Sequence, residues 1–302
     1  MKGIFAPVLW GLGMAVVILD SRTAMSGAAE GAMLCIRTLI PGLFPLMVLS
    51  SLLASALPRG GLLAAGLLGG YPVGARNAAQ AFRSGRISQD QAERMAVVYC
   101  CAGPSFLFGV AGDVCPAGLW MVYLCSVMAL WLILGRPRDP SGSGEELSLS
   151  DALRSSLGAM GQVCGWVILM RTLLAVMDRW ILWLLPQWAR AAVWGAVELT
   201  NGITALEMLE AGSRFVSAAG MIGFGGICVM MQARSVARGL SMKLYFPGKV
   251  FQGCTCILLA SVFSRAAIPA SILAPAAAIG TGCAIFLVKS KKRCGNPTPV
   301  GV

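Results

Sequence analysis

The sequence predicts an all-α polytopic membrane protein made of two repeated halves with broken or re-entrant helices. Three observations predict it. The 302 residues are 57% hydrophobic and 12% charged, with a mean hydropathy of +0.76, far from the balance of a soluble domain. Charge-free segments recur at Gly3–Leu19, Thr38–Pro58, Met95–Gly112, Val114–Gly135, Phe215–Ala233 and Ala266–Val288, and several approach the roughly 20 residues that cross a bilayer as helix. Short apolar runs are also broken by Gly, Pro and polar residues at Leu67–Asn77 and again at Gly195–Ile203.

Taken in order, Gly3–Leu19 reads as a first helix, ended by Asp20-Ser-Arg22. With only Met1 and Lys2 before it, and Ser26-Gly-Ala-Ala29 after it, this run resembles a signal peptide. The chain stays apolar afterwards, so the sequence predicts a retained helix. Ala32–Leu57 carries Pro41 and Pro45 and reads as a kinked helix or a tight helical hairpin. Pro58-Arg-Gly-Gly61 punctuates it. Leu62–Gly69 is too short to span and runs into Gly70-Tyr-Pro-Val-Gly74. A short apolar segment broken by Gly and Pro points to a discontinuous helix. Gly85-Arg-Ile-Ser88 reads as a turn with Ser88-x-x-Gln91 as a capping box. Cys100-Cys-Ala-Gly-Pro-Ser-Phe106 is a second interruption, followed by Gly109, Gly112 and Asp113.

Gly135–Glu146 is the clearest linker, which places a first half at 1–134 and a linker with an interfacial segment at 135–156. The second half, at 157–288, opens with the apolar Leu157–Met177. Trp180, Trp183, Trp188 and Trp194 suggest an interfacial belt. Ala191–Leu199 leads into Glu198-Leu-Thr-Asn-Gly202. Phe215–Ala233 is Gly-rich, Arg234–Lys249 is basic, and Val250–Phe263 and Ala266–Val288 close the apolar set around Arg265. The tail at 289–302 reads as a positive-inside stop.

The net charge of +11 does not indicate nucleic acid, because no long basic helix with interleaved aromatics supports that. It fits loops held next to anionic lipids. Eleven Cys and no His, without Cys-x2-Cys pairs, argue against a zinc or iron–sulfur site. The cysteines read as small membrane-core side chains. No cofactor or metal is implied, and the missing His removes the commonest general base. A hydrolase built on Ser105 and Glu198 therefore has no coherent base, and the chain reads as no enzyme. No Gly-x4-Gly-Lys-Ser/Thr motif supplies an energy source.

Pro45–Ser51 aligns with Gly165–Arg171, and Gly103–Leu107 with Gly223–Ile227, both at an offset of 120 residues. The Gly74 and Gly202 stretches lie between them at an offset of 128. Paired helix breaks in repeated halves are a transporter signature, in which unwound backbone and half-helix ends hold a substrate near the midplane. The polar, basic stretches Arg76–Arg94 and Arg234–Lys249 both favour one side of the membrane, whereas an inverted repeat tends to separate equivalent loops. The sequence leaves the relative orientation of the halves open.

The candidate substrate-binding residues follow from the breaks. Glu198 is an acid in an apolar run, a functional hypothesis by default, for a substrate donor, a coupling proton or a coupling cation; a structural pair with a nearby Arg is the rival. Thr200 and Asn201 add hydrogen-bonding groups and Gly202 opens the backbone, unless Asn201-Gly202 is a plain turn. Arg76 and Asn77 suit a carboxylate, or Arg76 is a positive-inside anchor. Tyr71 stacks on a planar ligand or marks the interface. Gly74 belongs to the same break. Gly103 and Ser105 expose backbone donors or merely kink the chain. Gly223 and Gly225 are their second-half counterparts.

These motifs carry a resemblance. Gly69-Gly-Tyr-Pro-Val-Gly-Ala-Arg76, the Gly85-Arg-Ile-Ser88 and Glu93-Arg94 turn, Cys101-Ala-Gly-Pro-Ser105 and Glu198-Leu-Thr-Asn-Gly202 look like the sporulation integral membrane proteins with nucleoside-recognition (gate) domains. The match runs from about residue 5 to 288. The Gly-Tyr-Pro-x-Gly-Ala run is fairly specific; the Gly-rich parts are not. The resemblance implies a core similar to that of the concentrative nucleoside transporters and a setting in endospore formation. It further implies carriage of dipicolinate from mother cell towards forespore across the outer forespore membrane, with the halves as gate-like repeats. It does not by itself make a nucleoside the substrate. This chain departs from the pattern in its wealth of Cys, Arg and Trp. Dipicolinate, a planar ring with two carboxylates, suits Arg76, backbone donors and Asn201, whereas Glu198 repels it. The leading expectation is a secondary carrier of a small organic anion. Carriage of a nucleoside or other metabolite, and a non-transporting scaffold or gate partner, are the alternatives; homo-oligomers are compatible with each.

Overall fold

Apolar sequence in a bilayer must satisfy its backbone internally, and helix is the local solution. A computed structural model describes residues 2–57, 61–112, 118–137, 147–264 and 269–294. Among the described residues 85% are helical and none is in a strand. Five stretches there are long and apolar enough to cross a membrane: Ser21–Ala56, Leu149–Trp180, Ala211–Val236, Tyr245–Ser264 and Ala270–Ser290. The chain is an all-α polytopic membrane protein. Pro58, Arg59 and Gly60 of the first punctuation, Asp113, residues 138–146 of the linker, Arg265 and the side chains of the basic tail from Lys291 onward lie outside the described residues.

Helix α1 (Lys2–Leu19) ends at Asp20, and α2 (Ser21–Leu34) begins beside it. A π-helical turn at Cys35–Leu39 joins α2 to α3 (Ile40–Ala56). The proline-bearing stretch is therefore a continuous helix and not a hairpin. Pro41 cannot donate to the ladder and its ring crowds the preceding turn; the widened turn just before it accommodates both.

Four shorter helix pairs follow the long helices. Helices α4 (Gly61–Gly69) and α5 (Val73–Arg83) flank Gly70–Pro72, with a cis Tyr71–Pro72 bond. Helix α6 (Gln89–Tyr99) opens on Ser88, whose hydroxyl accepts from the Gln91 N–H at 3.3 Å, as the capping box predicts. It breaks at Cys100–Pro104 and resumes as a π-helical turn, Ser105–Val110. Helix α7 (Leu119–Ile133) ends the first half. In the second half α9 (Gln187–Val197) and α10 (Leu199–Ala205) flank Glu198, and α11 (Ala211–Phe224) and α12 (Gly226–Val236) flank Gly225. Helices α13 (Tyr245–Ser264) and α14 (Ala270–Cys294) complete the chain.

Helix α8 (Leu149–Trp180) is a single helix of 32 residues. The boundary drawn after residue 156 falls inside it. Ser148 caps its start by accepting from the Asp151 N–H at 3.1 Å, and no Pro interrupts it before Pro186.

Helices α2–α3 and α8 run antiparallel. Arg179 pairs with Asp20 at 3.2 Å and Arg171 with Glu30 at 2.7 Å. Gly27 and Gly31 bring the backbones together: a Cβ on Gly27 meets Ala175 Cβ at 2.6 Å, and one on Gly31 meets Ile168 Cα at 2.9 Å. Small residues four apart are the usual means of close approach in a membrane. Helices α7 and α13 are antiparallel too, with Gly118 against Phe263 and Gln252 donating to Ser126 at 3.4 Å.

Candidate functional site

The four helix breaks meet. Gly70 (φ +72°) and Gly103 touch backbone to backbone: a Cβ on Gly103 meets Gly70 Cα at 2.9 Å. Gly225 and Gly226 both have positive φ, +82° and +81°, a region glycine enters without steric cost. This turn brings Gly226 against the Gly195 carbonyl and Gly225 next to Tyr71, whose hydroxyl a Cβ on Gly225 would meet at 3.5 Å. A directional chain of hydrogen bonds crosses the junction. The Ala102 N–H donates to Tyr123 Oη at 2.7 Å, and Tyr71 Oη donates to the Ile222 carbonyl at 2.9 Å. The two phenols lie 3.4 Å apart. Since Tyr71 spends its proton on Ile222, Tyr123 donates to Tyr71.

A small cavity lies at the junction. Its volume is about 40 Å³, lined by Tyr71, Gly103, Glu198, Thr200, Phe106 and Gln232 among others; that is room for a few waters at most. Next to it is an open vestibule of about 430 Å³ that includes Arg37, Thr38, Ser105, Thr200, Thr204 and Glu207. Ligand pockets typically run to roughly 300–1,000 Å³, so the vestibule is of ligand size. Leu39, Leu43, Phe106 and Thr200 line both spaces.

The structure brings together Tyr71, Gly103, Glu198 and Thr200, with Ser105 next door in the vestibule and Gly225 behind Tyr71. Glu198 is buried and caps α10, its carboxylate accepting from the N–H groups of Thr200 at 3.1 Å and Asn201 at 2.9 Å. No Arg or Lys pairs with it among the described residues. Its structural alternative is thus a helix cap, not an ion pair. Ser105 Oγ donates to the Gly42 carbonyl at 2.7 Å, which ties the second break to α3.

Other candidates lie elsewhere. Arg76 is buried and donates to Ser51 Oγ and, at 3.2 Å, to Ser155 Oγ. It clamps α5 to α3 and α8 and lines neither space. Asn77 is buried on the same helix, its Nδ2 without a partner among the described residues. The Asn201 amide nitrogen is equally unpaired. Gly74 packs against the Tyr99 carbonyl, Gly202 against the Gly195 backbone, and Gly223 against α13, where a Cβ on it would meet Gly253 Cα at 2.9 Å. These three glycines permit close approach and do not face the cavity.

Sequence reasoning passed over two charged groups. Arg37 is exposed in the vestibule; its place beside Thr38 at the start of an apolar run is the signal. Lys249 is 1% exposed within α13 and is bonded to the Cys100 carbonyl. It was absorbed into a basic loop, although Lys249 and Gln252, three residues apart, share one helix face.

Compared with known protein families, curated proteins and solved structures, the chain matches none.

Proposed function

We propose that the chain is a secondary carrier of a small organic anion, with dipicolinate, the cargo implied by the motif resemblance, as the first candidate. The observation that carries this reading is the meeting of four helix breaks at a small, mostly apolar cavity that holds the polar groups of Tyr71, Glu198, Thr200 and Gln232 and adjoins a ligand-sized vestibule. Broken helices at membrane depth persist where they line such a space. Arg37 supplies a cation at the vestibule wall, in the place that Arg76 does not fill. A planar dicarboxylate meets Arg37, Thr38, Ser105 and Thr204 before it reaches Glu198. The repulsion from Glu198 is reduced because that carboxylate already accepts two backbone N–H groups.

The same reading includes an inverted repeat. The counterpart pairs α2–α3 with α8, and α7 with α13, are antiparallel. The α5–α6 connector is basic (Arg83, Arg86), and its counterpart between α10 and α11 is acidic (Glu207, Glu210). Arg83 donates to the Arg238 carbonyl at 3.2 Å, so the two basic connectors share one end. They occupy non-equivalent places in the halves, so a shared basic side and an inverted repeat are compatible. By the positive-inside rule that end is cytoplasmic, and the vestibule with Glu207 opens towards the other.

Uptake of labelled dipicolinate into proteoliposomes containing only this chain tests the function. Uptake above empty vesicles, unaffected by excess nucleoside, is the expected result. No uptake by demonstrably folded protein refutes the autonomous carrier and leaves the scaffold reading; competition by nucleoside moves the substrate class.

A further inference from the structure

Lys249 lies in the second turn of α13 with 1% of its surface exposed. Its Nζ donates to the Cys100 carbonyl at 2.6 Å and to Gln252 Oε1 at 2.9 Å. The rings of Tyr71 and Tyr245 lie 5.7 and 5.8 Å from it. No carboxylate pairs with it among the described residues. A buried charge without a counter-ion needs other compensation, and each neighbour here supplies some. Cys100 caps the C-terminus of the half-helix α6, where the helix dipole is negative. The amide oxygen of Gln252 is aimed by the opposite end of its amide, which donates to Ser126 Oγ at 3.4 Å. Two aromatic faces add cation–π attraction.

This donor set is a cation's. At the helix breaks of membrane carriers, freed backbone carbonyls and half-helix C-termini hold the coupling cation. We propose that the pocket bounded by the Cys100 carbonyl, Gln252, Tyr71 and Tyr245 is a monovalent-cation seat that the chain fills with its own Lys249 ammonium. The Cys100–Pro104 break is then held without a dissociable ion. Truncating the lysine empties the seat and leaves the Cys100 carbonyl, Gln252 Oε1, Ser126 Oγ and entering water to receive a small cation.

The test is thermal unfolding of the full chain in detergent at one ionic strength, in the chloride of sodium, potassium, ammonium or N-methylglucamine. Wild type is expected to melt at the same temperature in all four. Lys249→Ala is expected to melt several degrees lower in N-methylglucamine and to recover, saturably, in at least one small cation. Lys249→Met, which fills the space with an apolar chain, loses stability and recovers nothing. The proposal is overturned if Lys249→Ala melts like wild type, responds to all four salts alike, or yields no folded protein in any of them. It is also overturned if Lys249→Met recovers equally. Transport is not the readout, so failure here leaves the carrier reading standing and the reverse also holds.

Discussion

Glu198 serves both the fold and the cavity, and two substitutions separate the roles. Glu198→Ala removes the acceptor for two N–H groups at the start of α10, and loss of a cap costs about 1–2 kcal/mol. Glu198→Gln keeps one oxygen and most of that stability. Thermal unfolding is expected to rank wild type above Gln above Ala. Uptake is expected to fall in the Gln variant even though it folds; unchanged uptake assigns Glu198 to capping alone. The glycines separate in the same way. A Cβ on Gly74 runs into the Tyr99 carbonyl, whereas one on Gly161 meets nothing within 4 Å. Gly74→Ala is expected to destabilise by ~3 kcal/mol, and Gly161→Ala to stabilise by roughly 0.5–1 kcal/mol; denaturation of the pair checks this. The sequence marked Gly74 as important but could not separate a glycine at the site from one that lets α5 lie against α6. That distinction depends on where Tyr99 lies, 25 residues away.

Among the elements, the breaks were the most legible feature. Gly-Tyr-Pro, Gly-Pro-Ser and Gly-Gly interrupt helices for local steric reasons, and each lies at a helix end. The pairing of elements was not legible. Arg76 reads as a substrate cation until α3 and α8 place Ser51 and Ser155 around it. The hairpin reading of Ala32–Leu57 fails because Pro41 is absorbed by a π-helical turn and the helix continues through it. The seam between α2 and α8 depends on Gly27 and Gly31, where added side chains meet α8 at 2.6 and 2.9 Å. Gly27→Leu is expected to destabilise by about 2–3 kcal/mol. Gly158→Leu, on α8 with nothing within 4 Å, is expected to leave the melting temperature within a degree or two of wild type. Equal losses contradict the close seam.

For the whole molecule, hydropathy alone gave the all-α polytopic class, because charge-free length is a local property. Orientation of the halves was not local: it depends on which connectors are equivalent, and in the proposed inverted repeat the two basic ones are not. Cysteines introduced at Arg86 and Arg238 are expected to react with an impermeant thiol reagent from one side of the membrane, and one at Glu210 from the other. Reaction of all three from one side contradicts the inverted arrangement. The central claim is that the breaks enclose a substrate path continuous with the vestibule at the Glu207 end. The most direct measurement places a cysteine at Thr200, which lines both spaces, in a chain whose native cysteines are replaced. It then follows impermeant labelling from each side with and without dipicolinate. Labelling from the Glu207 side, slowed at least several-fold by dipicolinate, is the predicted result. A Thr200 cysteine that never labels from that side, or labels at the same rate with dipicolinate present, contradicts it.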